Sequence, residues 1–209
     1  MAYNDFTVQD LTHKLGLRYI EAADLFAGVA PSAVGSVFTT LLQESAPVAL
    51  AVSTEKARSE LIIAPILMEA RRQRGFAVSF FSGTELSVDP GRGLNGFCDY
   101  LLSLSPVQTE LEAPVVAVVE AKNENIRRGI PQCAASMYAS RLFNERREHP
   151  TAIVFGAVTT GSTWRFMRLR DATLEVDLRE YYLDAVERIV GVLVHMLSVA
   201  AEISQGVKR

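Results

Sequence analysis

The chain has 209 residues, of which 49% are hydrophobic and 22% are charged, the profile of an ordinary globular protein with one full core. Its formal net charge of −3 excludes a basic field over the whole molecule and leaves room only for a local basic groove. Cys98 and Cys133 lack disulfide or metal-ligand spacing, and residues 1–9 lack the pattern of a secretory signal. The longest apolar stretch, 189–201, is too short to cross a bilayer. We therefore expect a cytoplasmic protein with no membrane contact.

The N-terminal segment predicts helices that carry no recognisable chemistry. A capped helix is expected over about 7–14, and apolar residues recur at helical spacing over 17–26 and again over about 33–43. We therefore expect residues 1–53 to form an N-terminal helical extension. The remaining residues, 54–209, would form an α/β domain, with the whole chain as one compact unit.

A strong helix is expected to begin after Thr54 and to end in a basic turn before Gly75. Pro65 lies inside this pattern and should kink or divide the helix. Glu60 lies beside the apolar stripe of the helix. Its carboxylate is therefore expected to point toward the sheet rather than toward water.

The glycines at 91, 93 and 96 have the spacing of a dinucleotide-binding fingerprint. That fingerprint follows a strand and opens a helix. Here Gly91-x-Gly93-x-x-Gly96 follows a Pro-Gly loop and leads into residues 97–102, which predict a strand. We therefore interpret this motif as a turn and a strand entry.

The central element of the chain is the stretch 113–122, in which a proline and a run of valines lead to Glu120 and Lys122. A continuous apolar run favours a strand that is covered on both faces. Because Glu120 and Lys122 are two residues apart, both side chains leave the strand on one face. A hairpin-like connection would lay the preceding strand alongside and bring Asp99 to the same place, where two carboxylates could share a cation. The simpler alternative is a charged exit from a core strand.

The C-terminal half predicts a helix over about 128–147, with Gln132 in its first turn facing the end of the central strand. Further strands are expected over 152–158, 164–169 and 174–177. A long helix over 181–204 carries an a/d stripe that is too apolar for a helix with one solvated face. We expect this helix to pack on the sheet and to be shared with a second subunit in a homodimer. The stripe consists of Val186, Ile189, Leu193, Met196, Ala200 and Ile203.

These residues, in this order on helix, strand, strand and helix, resemble the PD-(D/E)XK nuclease superfamily. Gly96-Phe97-Cys98-Asp99, Glu120-Ala121-Lys122 and Gln132 resemble its RecB-like branch in particular, and the likeness extends over about 54–169. The stretch that begins at Thr54 is similar to small nuclease-like proteins of bacteria. The resemblance implies a restriction-endonuclease-like α/β core, with a central mixed sheet flanked by helices.

The resemblance also implies a chemistry. Asp99 and Glu120 would bind Mg²⁺ (or Mn²⁺) together with the carbonyl of Ala121. Lys122 would orient or deprotonate the attacking water, and Glu60 would support the metal site. The expected activity is metal-dependent hydrolysis of phosphodiester bonds in nucleic acid, with DNA as the expected polymer.

Two departures from the branch limit what carries over. Gln132 is followed four positions later by Ser136, so Tyr138 receives no role. Four cysteines for an iron–sulfur cluster are absent from the sequence. Because a fold does not decide a function, the alternative is a non-catalytic binding or assembly protein that dimerises through its C-terminal helix.

Overall fold

The structure is a computed structural model and describes residues 2–206. This part of the chain forms one eight-stranded mixed sheet with helices on both faces. The helices are α1 (Val8–Leu15), α2 (Ser36–Val52), α3 (Glu55–Arg58), a π-helical segment (Ser59–Ile63), α4 (Ala64–Gln73), α5 (Ile126–Arg146) and α6 (Val186–Gly206). The strands are β1 (Arg18–Ala22), β2 (Ser79–Glu85), β3 (Phe97–Ser103), β4 (Val115–Ala121), β5 (Ile153–Thr159), β6 (Thr163–Arg170), β7 (Thr173–Asp177) and β8 (Tyr181–Tyr182).

The strands follow the order β1-β7-β6-β5-β4-β3-β2, and β8 pairs with β6. The pairs β4–β5 and β1–β7 are parallel, and the other neighbouring strands are antiparallel. The expected hairpin-like pairing of β3 with β4 is present, and α5 is the crossover that joins the parallel strands β4 and β5. The predicted α/β class, with a central mixed sheet flanked by helices and a C-terminal helix, is therefore confirmed.

Two hydrophobic cores lie on opposite faces of the sheet. On one face α2, the π-helical segment, α4 and α6 supply buried residues such as Ile62, Leu67 and Leu193. On the other face α1 and α5 supply Leu11 and Ala134. All seven residues of β4 are buried between these layers, as expected for a strand whose apolar run has no alternation.

The helix predicted over 17–26 is wrong. Residues Arg18–Ala22 form strand β1, which pairs in parallel with β7 at one edge of the sheet. Leu17 packs in the core on one face and Phe26 in the core on the other, so the segment crosses the sheet edge. A strand satisfies the hydrogen-bonding groups along the edge of β7, whereas a helix would leave them open. Residues 1–53 therefore contribute a strand to the sheet as well as helices.

The apolar stripe of α6 is buried inside the same chain. Four of its members have at most 3% of their surface exposed: Ile189, Leu193, Met196 and Ala200. They pack on the sheet and on α4, which confirms the expected burial. A homodimer through this helix stays a prediction, because the stripe already has its partners within the chain.

Across residues 2–206, the helices are all too short or too polar to traverse a lipid bilayer.

Candidate active site

The candidate site lies where β4 ends. Glu120 is the last but one residue of this strand, and only 2% of its surface is exposed. Tyr100 of β3 pairs with Val119 of β4, so the antiparallel register places Asp99 opposite Glu120. A buried carboxylate is costly unless a partner stabilises its charge. The contacts of Glu120 therefore decide what the site can do.

One oxygen of Glu120 is occupied by two donors. Lys122 Nζ donates to Glu120 Oε1 at 2.6 Å, which confirms that both side chains leave the strand on one face. The side-chain amide of Gln132, on α5, donates to the same oxygen. Gln132 therefore faces the strand end as predicted, although α5 begins at Ile126 and places Gln132 in its second turn rather than its first.

The other oxygen of Glu120 has no hydrogen-bond partner in residues 2–206, although it is fully buried. We call Oε2 the open oxygen. Burial, and after it the nearby Asp99 charge, raise the pKa of the Glu120 carboxyl to about 8, although Lys122 acts in the opposite direction. When Glu120 holds a proton, it shares a hydrogen bond with the Asp99 side chain. The two carboxyl groups therefore disfavour each other's charged form, and a proton or a cation bound to the pair would relieve this repulsion.

The charge of Lys122 depends on the same carboxylate. Burial is the largest single influence and disfavours the ammonium form, but the charge and hydrogen bond of Glu120, with two other nearby carboxylates, together raise the pKa of Lys122. The lysine stem packs against α5: a Cβ added at Gly129 would lie 3.1 Å from Lys122 Cγ and 2.5 Å from a methyl carbon of Val158. Gly129 is therefore the residue that lets α5 approach Lys122 this closely. Sequence reasoning missed it, although a glycine inside a helix is a signal of close packing.

Asp99 is held in place by the backbone of β4. Its Oδ2 accepts a hydrogen bond from the Ala121 amide at 2.7 Å. On its other side, Ser82 and Thr84 of β2 pair with the two residues of β3 that flank Asp99. Gly83, which lies between them, has a φ of 62°. The β2–β3 ladder is thus interrupted opposite Asp99. One Asp99 oxygen serves the backbone, which leaves Oδ1 as the oxygen available to a cation.

Glu60 does not point toward the sheet, so that prediction is wrong. Its side chain is 61% exposed and forms an ion pair with Lys56 at 3.3 Å. The cause is the π-helical segment that begins at Ser59, where the expected interruption before Pro65 takes the form of a wider turn. The hydroxyl groups of Ser59 and Tyr100 are hydrogen-bonded at 2.5 Å, which ties this segment to β3. Glu60 therefore faces solvent beside the site.

Two clefts flank α3, which lies between them. The proximal cleft has a volume of about 340 Å³ and gives access to Asp99, Ala121 and Glu60. Its other lining residues are Glu55, Lys56, Ser59, Ala64, Phe80, Ser82 and Tyr100. The distal cleft has a volume of about 660 Å³. It is lined by Arg58, Asn123, Glu124, Asn125, Ile126, Arg127, Thr160, Ser162, Thr163 and Glu180, a set that sequence reasoning missed.

The donor set fits a hard cation that keeps several waters. Within residues 2–206, no three His, Cys, Asp or Glu side chains lie close enough together to hold a metal ion by themselves. Asp99 and Glu120 are two carboxylates, and Ala121 beside them lines the proximal cleft. Mg²⁺ is commonly bound through only one or two carboxylates, with water and substrate oxygens as its other ligands. The open oxygen of Glu120 is the feature that such an ion would satisfy.

Known proteins add nothing to this description. Comparisons of the chain with protein-family models, with curated proteins and with solved structures found no match in any of the three. Membership in the PD-(D/E)XK superfamily therefore stays a prediction from the residues. The geometry at the end of β4 is the remaining guide to function.

Proposed function

We propose that this protein is a Mg²⁺-dependent nuclease, with Mn²⁺ as the alternative ion, that hydrolyses phosphodiester bonds of DNA. One observation carries the proposal. The buried carboxyl of Glu120 accepts from Lys122 and Gln132 on one oxygen, keeps an open oxygen on the other, and has Asp99 as a charged neighbour. A structural ion pair would leave neither an unsatisfied buried oxygen on Glu120 nor a second carboxylate, Asp99, at the wall of an open cleft.

Asp99 Oδ1, the open oxygen of Glu120 and the carbonyl of Ala121 would hold the ion. When bound, Mg²⁺ lowers the pKa of water and stabilises negative charge on the phosphate. The protein itself supplies orientation. Gln132 fixes the Glu120 carboxylate from α5, and the Ala121 amide fixes Asp99 from β4.

Lys122 is the group that would handle the proton. Burial lowers its pKa, but the charge and hydrogen bond of Glu120, together with other nearby carboxylates, raise it by more. With the Glu120 charge neutralised by a bound cation, the pKa of Lys122 would fall toward the range in which Nζ could accept a proton from water. In the metal-free protein the same amine is an ammonium that stabilises Glu120. The proposal thus links metal binding to the lysine's ability to act on water.

Glu60 has a smaller part in this proposal than the resemblance implies. Its exposed carboxylate lines the proximal cleft with Asp99 but pairs with Lys56. It would act on an incoming substrate or a second ion through water rather than as a ligand of the first ion.

The assembly alternative rests on a different surface. Helix α2 exposes five large apolar residues, Val37, Leu41, Val48, Leu50 and Val52, whereas the stripe of α6 is largely buried. A homodimer or a protein partner, if one exists, would therefore use α2. This surface does not compete with the candidate site, and it does not explain the buried carboxyl pair.

The test is cleavage of a plasmid and of linear DNA in Mg²⁺, in Mn²⁺ and in EDTA. The parent protein should cut in either metal and not in EDTA, and Glu120→Gln should abolish cutting. The matched control is Arg188→Gln, which changes an exposed arginine of α6 outside both clefts. Equal activity of Glu120→Gln and the parent would show that the activity belongs to another site or to a contaminant.

A further inference from the structure

The distal cleft has unsatisfied polar groups of two kinds. Arg58 donates to the carbonyl of Thr160 at 3.0 Å and to hydroxyls of Ser53 and Ser162, which holds its guanidinium at the wall of the cleft. Among the described residues, Arg58 Nε and Asn123 Oδ1 are buried without a hydrogen-bond partner. The first atom is a donor and the second an acceptor. A ligand that satisfies both must carry an acceptor and a donor.

The charges around the distal cleft favour an anionic ligand. Arg58 and Arg127 line it, against Glu124 and Glu180. Glu180 is bound by Arg165 at 2.6 Å, so its charge is already paired, and Arg58 and Arg127 face one remaining glutamate. The remaining wall is built largely from hydroxyl and amide side chains, which commonly contact phosphate and sugar groups in nucleic-acid complexes.

The position and size of the distal cleft limit the ligand further. Asn123 follows Lys122 directly in the chain, and Arg58 directly precedes Ser59, which lines the proximal cleft. The two clefts therefore adjoin the candidate site from either side of α3. A volume of about 660 Å³ lies within the range of about 300–1,000 Å³ that is typical of small-molecule sites. It suits one flexible unit of a polymer rather than a rigid duplex.

We propose that the distal cleft binds a nucleotide of a single nucleic-acid strand, next to the phosphodiester that the candidate site would hydrolyse. Arg58 and Arg127 contact its phosphate, and Asn123 accepts a hydrogen bond from its sugar or base. This inference rests on the proposed function and names the form of its substrate: a single strand, or the unpaired end or loop of a duplex.

Binding of a short fluorescein-labelled oligothymidylate, followed by fluorescence anisotropy in EDTA, tests the cleft without any cleavage. Arg58→Gln and Arg127→Gln should each weaken binding about ten-fold, the cost of a charge-assisted hydrogen bond. Arg188→Gln is the matched control and should bind as the parent does. Arg127 is exposed, so its variant should keep the melting temperature of the parent even if Arg58→Gln destabilises the fold. A blunt-ended duplex of equal length, which has neither an unpaired end nor a loop, should bind more weakly than the single strand.

The outcomes separate this inference from the proposed function. If the parent does not cleave but both cleft variants lose oligonucleotide binding, the cleft is supported and the nuclease proposal fails. If the parent cleaves while Arg127→Gln and Arg58→Gln bind like Arg188→Gln, the nuclease proposal stands and the cleft inference is overturned. Failure of the parent to bind the single strand, or tighter binding of the duplex, also overturns it.

Discussion

The carboxyl of Glu120 should make the stability of the metal-free protein fall as the pH rises. Its pKa is raised from an ordinary value of 4.5 to about 8 in the folded protein, first by burial and then by Asp99. The folded state therefore keeps a proton that the unfolded chain has already released. Stability is fully present below about pH 4.5 and is lost as the pH rises through the folded pKa of about 8.

The size of this loss of stability follows from the shifted pKa of a single group, Glu120. A single proton gives a slope of at most about 1.4 kcal/mol per pH unit. With a folded pKa of about 8, the free energy of unfolding should fall by about 2 kcal/mol between about pH 6 and about pH 8. Asp177, whose pKa is also raised by burial, contributes with the same sign.

Glu120→Gln isolates the contribution of Glu120. The glutamine oxygen can still accept from Lys122 and Gln132, and its amide can donate to Asp99 as the protonated carboxyl does. The difference in the free energy of unfolding between the variant and the parent should therefore be about 2 kcal/mol more favourable to the variant at about pH 8 than at about pH 6. The contribution of Asp177 cancels in this comparison.

The assay is urea unfolding in EDTA, followed by the fluorescence of Trp164, the only tryptophan, which is fully buried. Mg²⁺ should restore stability in the parent, by about 2.7 kcal/mol at a hundred times its dissociation constant, and not in Glu120→Gln. Parallel pH dependences of the parent and Glu120→Gln would refute the reasoning, because Glu120 would then titrate normally in the folded state.

Three further outcomes are expected. Asp99→Asn, which keeps an acceptor for its backbone partner, should weaken Mg²⁺ binding in calorimetry and abolish cleavage. Lys122→Met should also abolish cleavage, but its Mg²⁺ binding should be equal to that of the parent or tighter. Equal losses of Mg²⁺ affinity in the two variants would contradict these separate roles. Gly129→Ala should cost about 1–3 kcal/mol in urea unfolding through overpacking, and adding Val158→Ala should recover part of it; no recovery would mean that the contact is not the cause. Glu60→Gln should change stability by at most about 1 kcal/mol, as for other exposed ion pairs, and leave Mg²⁺ affinity unchanged, so a large loss of affinity would return Glu60 to the metal site.

The sequence predicted those features that depend on local periodicity. The two-residue period of a strand places Glu120 and Lys122 on one face, and the valine run before them predicts a strand buried on both faces. The antiparallel pairing of β3 with β4 also followed from the chain, since their short connection permits it. The contact of Gln132 with the end of β4 was also predictable, because Gln132 lies within the first two turns of the helix that follows this strand.

Other features were decided only by the tertiary structure. The apolar spacing over residues 17–26 permits a helix or a strand, and the free edge of β7 selects the strand. The side chain of Glu60 is turned to solvent by a π-helical segment, whose wider turn no apolar pattern encodes.

The open oxygen of Glu120 and the distal cleft are also features that only the tertiary structure decided. Each exists because elements far apart in the chain, α3, β4, α5 and the β5–β6 turn, surround polar atoms without pairing all of them. Sequence alone determined that Glu120 and Lys122 leave a buried strand on one face, because strand period and burial pattern are local properties. Which of those atoms stay unsatisfied, and are therefore available to an ion or a ligand, depends on packing between distant segments, and only the folded chain decides it.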